Sequence, residues 1–340
     1  MDYSSASAYV YAKSCGILGR SFIGEKAQSL FDVKTLSELW ELVFKSPVPQ
    51  IPEAMLANHM EYEAIRHFIS EYTGLLSNYS KPHEYLVELL RRYEVENLKV
   101  ISASLSWGEQ NCPRIVELGK YKTLHYECWP NIENITKNTV FEWYNKIPEQ
   151  QNRWEMDYKL DLQEVNLLWG KLSKIHGSSK NALKKYFVQE YNKKNMIWAM
   201  RLKVYYNMDD EQIFKHLFFI GNQPSAQDIL YKDAIDISKR RIDVYEDWKD
   251  WHYASYLNSH EDGEVWMLDP MWVEHKFRLD ETKNALHIFH QNPMTDICLV
   301  MFFKLKQQEL NCIRAAVESL RLHVERDEAI YAAGFATQSK

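Results

Sequence analysis

Apolar residues recur three and four positions apart along almost the whole of this chain, the spacing that lines one face of an α-helix, and very little interrupts them. Leu36, Leu39, Trp40 and Val43 mark one short helix, and Met60, Ile65, Phe68, Ile69, Tyr72 and Leu76 mark a longer one. A third stripe runs through Leu86, Leu90, Tyr93, Leu98, Ile101 and Leu105, with Pro82 near its start, where a missing N–H costs least. Leu310, Ile313, Val317, Leu320 and Val324 step by three, four, three and four, the most regular seam in the sequence. The punctuation that other architectures need is scarce. The 340 residues include only 11 Gly and 10 Pro, about half the share of roughly 7% and 5% in average proteins. Sandwiches and propellers need Gly, Pro or Asn at each reversal, and a dinucleotide fold needs glycine beside the pyrophosphate. The fold class read from the sequence is therefore all-α, in two or three units with a substantial core. Glu264-Val265-Trp266-Met267-Leu268 is the best strand candidate, and it is short.

Charge and cysteine usage narrow the setting. Lys and Arg number 41 against 47 Asp and Glu, a net charge of −6 spread along the chain, so no nucleic-acid footprint appears. Five cysteines (Cys15, Cys112, Cys128, Cys298, Cys312) form no C-x-x-C pair and read as free thiols of a reducing compartment. The apolar run Ile297 to Phe303 falls far short of the ~20 residues a membrane span needs. With no secretory start at Met1-Asp2-Tyr3, a cytoplasmic location is expected.

An internal repeat organises the helices. Three short segments pair a polar cap with aliphatic positions: Ser37-Glu38-Leu39 with Leu42, Ile132-Glu133-Asn134-Ile135, and Asp210-Glu211-Gln212-Ile213 with Leu217. Thr35-Leu36-Ser37-Glu38 also has capping-box spacing. Each segment precedes a long helix with a second signature: Tyr93-Glu94-x-x-Asn97-Leu98-Lys99, Tyr191-Asn192-x-x-Asn195-Met196, and Glu309-x-x-Cys312-Ile313-Arg314. Segment and signature lie 59, 62 and 101 residues apart, counting Glu38 to Asn97, Glu133 to Asn195 and Glu211 to Cys312. The third copy thus carries an insertion, placed at about 242–286, where Tyr245, Trp248, Trp251, Tyr253, Tyr256, Trp266, Trp272 and Phe277 crowd together. Aromatics at that density fill a satellite core or anchor a partner, and the core is the simpler reading. The expected division is repeat 1 over 1–120, repeat 2 over 121–206 and repeat 3, with the insertion, over 207–340.

Catalytic and cofactor motifs are weak. Gly19 and Gly24 have the separation of a phosphate loop, but Glu25 stands where the loop needs Lys, and no strand precedes them. Gly16, Gly19 and Gly24 read instead as a tight helix contact and a helix end. His287-x-x-His290 and His260-Glu261-Asp262-Gly263-Glu264 gather metal-ligand types without H-E-x-x-H spacing, so no metal, cofactor or catalytic residue is assigned. A metal-dependent hydrolase using the His252 to His290 region stays as the alternative enzyme reading, and a generic helical scaffold as a third. The basic pairs Arg91-Arg92, Lys184-Lys185, Lys193-Lys194 and Arg240-Arg241 read as solvated faces, or as the lining of a cavity that receives a polar tip.

Taken together, Tyr9-x-Tyr11-Ala12, the three cap segments, the Tyr93 to Lys99 signature and the closing Lys306-x-x-Glu309-x-x-x-Ile313-Arg314 helix resemble the rotary V-type ATPase subunit called C in archaea and bacteria and d in eukaryotes. The resemblance covers nearly the full chain. Departures are Phe44-Lys45-Ser46-Pro47 in place of a Thr-x-Tyr pattern, Asn192 in place of the acid and Cys312 in place of Asn. The resemblance implies a funnel of three similar helical subdomains in pseudo-threefold arrangement. It implies a non-catalytic subunit on the cytoplasmic face of the membrane, peripheral through protein contacts, that links the central-stalk subunits to the proteolipid rotor ring for proton or sodium transport. Glu94, Asn97, Lys99, Asn195, Glu309 and Arg314 are the positions that match the family signatures, read as bonding helix to helix first and as partner contacts second.

Overall fold

The computed structural model describes residues 2–175, 179–260, 263 and 265–335. Among them it holds thirteen α-helices joined by connectors with short 3₁₀ turns, and no strand. In the first half these are α1 (Tyr3–Leu18), α2 (Leu36–Phe44), α3 (Glu53–Leu76), α4 (Glu84–Glu88), α5 (Arg91–Ser106), α6 (Ile132–Thr136) and α7 (Arg153–Ser173). The second half adds α8 (Ser179–Tyr206), α9 (Asp210–Phe214), α10 (Lys232–Lys239), α11 (Pro270–Gln291), α12 (Asp296–Arg321) and α13 (Arg326–Ala332). None of the described helices is long and apolar enough to cross a membrane.

Local chemistry explains the helix ends. At all three cap segments a side-chain oxygen accepts a first-turn N–H: Thr35 from Glu38, Asn131 from Asn134, and Asp209 from Gln212 within a full capping box. The Glu38 carboxylate reaches back to the N–H of Lys34, one residue beyond the usual box partner. The stripe from Leu86 to Leu105 is two helices, not one. The Tyr72 hydroxyl donates to the Leu86 carbonyl at 2.7 Å, and the N–H of Leu90, which would bond that carbonyl in a continuous helix, bonds Val87 at 3.0 Å instead. The strand candidate is irregular over its described residues 265–268, with one backbone bond from Leu268 to Ile242. Gly16 stands in open space within α1, so no close approach demands it. Gly19 caps α1, and Gly24, at φ +61, opens the 3₁₀ turn Gly24–Phe31.

Three apolar cores hold the helices. The largest draws on α1, α3, α12 and the facing ends of α7, α8 and α11, with Leu299, Met301 and Phe302 of the long apolar run fully buried in its centre. A second joins the end of α5 to α6 and the start of α7. The third joins the C-terminal half of α8 to α9, α10 and the aromatic stretch. That stretch is packed core. Trp248 is fully buried, its ring meets Trp251 edge-on at 5.4 Å, and its Nε1 donates to the Arg241 carbonyl at 2.7 Å. Arg240 lies over the Trp248 ring at 5.8 Å, while Asp247 pairs with Arg241 and Asp250 with Arg240. Trp248→Phe removes the indole N–H from a buried bond and leaves a void, so a loss of about 2 kcal/mol is expected, read as a lower denaturant midpoint.

Candidate functional site

α5, α8 and α12 carry the three signatures, and each presents two working faces. One face pins a connector. The Asn97 side chain accepts from the Val116 N–H at 2.8 Å and donates to the Val116 carbonyl at 2.9 Å and the Tyr126 hydroxyl at 2.8 Å. Asn195 repeats the device, accepting from the Phe218 N–H and donating to the carbonyls of Phe218 and Leu230, each at 2.8 Å. An amide suits this work because its oxygen and NH₂ satisfy a backbone donor and acceptor at once, and both residues are buried. One turn earlier, the fully buried Glu94 carboxylate accepts from the Thr123 hydroxyl at 2.7 Å, the Leu124 N–H at 3.1 Å, the Thr123 N–H and the Arg91 guanidinium. Asn192 donates to the Ile229 carbonyl at 3.1 Å. On α12 Glu309 accepts from the Phe22 N–H at 2.7 Å, so this helix pins the segment after α1. Burial depresses the Lys306 ammonium, but Glu309 and Glu71 beside it more than restore it and its pKa ends above the usual lysine range.

The remaining two signature residues sit elsewhere. Lys99 leaves α5 to pair with Asp161 of α7 at 2.5 Å. Arg314 is exposed, its Nε 3.4 Å from the Glu61 carboxylate of α3. The structure thus places Glu94, Asn97, Asn195 and Glu309 against connectors, and Lys99 and Arg314 in helix-to-helix ion pairs.

The other face of the same helices, together with α7 and α11, walls a cavity with two lobes, the smaller mainly polar and the larger mainly apolar with charged groups among its rings. Lys194, Glu281, Gln308 and Asn311 border both, so the lobes adjoin. The smaller, of about 210 Å³, lies among Arg92 and Glu96 of α5, Glu190 of α8, and Lys304 and Arg314 of α12. Glu190 sits between two ammoniums, Lys194 at 2.7 Å and Lys304 at 2.9 Å, with the Glu190 and Lys304 side chains only 11% and 13% exposed. Burial pushes the carboxyl up, but the two lysines outweigh it and hold it at about 2. Burial also lowers Lys304, by more than Glu190 restores. Glu164 and Glu281 are raised by burial; Arg92, depressed by burial, is carried above its ordinary range by Glu164.

The larger lobe, of about 540 Å³, mixes rings with paired charge. Glu274 joins Arg201 to Arg278, Lys193 lies over the Phe277 ring at 5.1 Å, and the rings of Trp154 and His216 meet at 4.5 Å. Burial lowers the His216 imidazole and raises the carboxyls of Asp157 and Asp161.

Of the basic pairs, Arg92, Lys193 and Lys194 face this cavity, whereas Arg91 is spent on Glu94 and Glu88. The acids that complete the lining were not legible. Glu190 lies four residues before Lys194, a spacing that on a sequence means an exposed helix pair. The available signal was the polar stripe Lys304, Gln307, Gln308, Asn311, Arg314 along the closing helix. No group of three His, Cys, Asp or Glu side chains able to hold a metal occurs among the described residues. His252, His287 and His290 are exposed, and Glu261, Asp262 and Glu264 lie outside the described residues. Two ion-pair clusters lie in the lining, Glu190 with Lys194 and Lys304 and Glu274 with Arg201 and Arg278, while Asp161 and Arg314 pair with Lys99 and Glu61.

Known proteins bear on this chain in two ways. A Treponema pallidum (strain Nichols) protein described as uncharacterized is 26% identical over 315 residues, 93% of this chain and 92% of its own. The family model described as ATP synthase (C/AC39) subunit matches residues 49–330, a stretch that holds α5, α8, α12 and the whole polar lining named above. With its all-helical architecture and most of its length accounted for in this way, the chain belongs to the ATP synthase (C/AC39) subunit family.

Proposed function

We propose that this chain is a non-catalytic coupling subunit of a V/A-type ATPase, joining the central stalk to the proteolipid rotor ring during proton or sodium transport. On this reading it is cytoplasmic and peripheral to the membrane, and its repeats over 1–120, 121–206 and 207–340 stand around the cavity as a funnel with approximate threefold order. The cavity receives the tip of the stalk. The observation that carries the reading is the cavity itself, walled by α5, α7, α8, α11 and α12, of which the three signature helices also pin connectors on another face. A socket that transmits torque must not shear, and buried side-chain-to-backbone bonds fix each signature helix to the connector beside it. Its paired charges can exchange partners when the stalk enters, giving register without a permanent apolar seal.

A photo-crosslinking side chain at Gln308, which borders both lobes, tests this in the assembled ATPase. The expected product is an adduct with a central-stalk subunit. An adduct with the catalytic head, or none in the intact complex, contradicts the proposal.

A further inference from the structure

The repeat breaks at one position, and a second cavity lies beside the break. Asn97 and Asn195 each pin a connector, but Cys312, which the α12 signature aligns with them, makes no side-chain hydrogen bond among the described residues. Next to its side chain, between α11, α12 and the segment after α1, is a cavity of about 410 Å³, within the range of small-molecule sites. Arg278, Gln308 and Asn311 border both it and the central cavity. Its walls include Phe22, Ile23, Leu279, Leu286, Ala315 and Phe335. Two cations border it. Lys283 is exposed with no partner among the described residues, and Arg278 pairs only with Glu274; the bordering acid, Glu25, is exposed.

We propose that this cavity binds a free fatty acid, its acyl chain against the apolar walls and its carboxylate at Lys283 and Arg278. The combination of an apolar interior with cations at one edge matches an anionic amphiphile and disfavours a neutral or cationic one. Cys312 takes part only as a wall: burial pushes its thiol up to about 12, so it is neither a nucleophile nor a charge. The site lies where the third signature carries a small thiol side chain in place of a pinning amide.

Fluorescence titration of the full chain with cis-parinaric acid, followed by displacement with oleate, tests the site. Saturable binding at one site is expected, weakened about tenfold or more by Ala315→Phe, which fills the cavity, and about tenfold by Lys283→Glu, an exposed change that leaves the core intact. No saturable binding, equal affinity in Lys283→Glu, or equal displacement by a long-chain alkylammonium overturns the proposal. So does binding to phosphatidylglycerol vesicles without binding to monomeric oleate, or binding that appears only after residues 336–340 are deleted.

Discussion

Replacing Asn195 by alanine lowers the stability of this protein by about 3–5 kcal/mol, because it strands the Phe218 N–H, the Phe218 carbonyl and the Leu230 carbonyl at once. A buried backbone group left without a partner costs about 1–3 kcal/mol, and Asn195 itself is fully buried, so water offers little relief. Truncation at the position that the α12 signature aligns with it, Cys312→Ala, removes no side-chain hydrogen bond and is expected to cost about 1 kcal/mol or less. The two variants therefore separate the pinning device from the helix that carries it. Urea unfolding gives the difference in midpoint, and amide exchange gives its location: the Phe218 N–H loses protection in Asn195→Ala and keeps it in Cys312→Ala. Equal losses in the two variants contradict the device.

Glu190→Gln has an effect of similar size with a different pH signature. It removes the carboxylate shared by Lys194 and Lys304, and breaking a buried pair from one side costs about 3–5 kcal/mol. Holding the carboxyl at about 2, against an ordinary value of 4.5, contributes on the order of 3 kcal/mol. A depressed acid adds stability that is fully present above pH 4.5 and lost as pH falls towards 2, because the unfolded chain takes up the proton first. Wild-type thermal stability therefore falls across that window more steeply than the variant's. Lys304, already lowered by burial, loses its counter-charge in the variant, so the deficit narrows as pH rises into the alkaline range and the ammonium sheds its proton. Melting temperatures at pH 3, 5, 7 and 9 check both limbs; parallel curves for the two proteins contradict the assignment.

These two residues also show what a sequence can and cannot carry. Asn195 was visible as a signature position because it shares its spacing with Asn97, and the long helices were visible through their apolar periodicity. The partners of Asn195 were not, since Phe218 and Leu230 lie 23 and 35 residues on, in a connector without periodicity. Glu190 was hidden by its own neighbour: a Glu-x-x-x-Lys step looks the same on a solvated face and on a cavity wall, and only Lys304, 114 residues away, distinguishes them. The break between α4 and α5 was hidden likewise, because the group that takes the Leu86 carbonyl comes from Tyr72 on another helix. The aromatic stretch was legible as core because rings three apart, such as Trp248 and Trp251, share a side, whereas its backbone course was not. Local spacing specifies helices and caps; the chemistry of the cavity is set by which helices meet, which no single stretch records.

Reconstitution from purified parts is the most direct test of whether the chain couples the stalk to the rotor. The chain is mixed with the isolated central-stalk subunits of its own ATPase and, separately, with the detergent-solubilised proteolipid ring, and each mixture is resolved by size exclusion. For a coupling subunit the chain co-elutes with the stalk and with the ring, all three form one complex, and Gln308→Arg, which crowds the cavity, weakens stalk binding while leaving ring binding unchanged. A chain that binds neither part, or that binds the catalytic head in place of both, contradicts the coupling role.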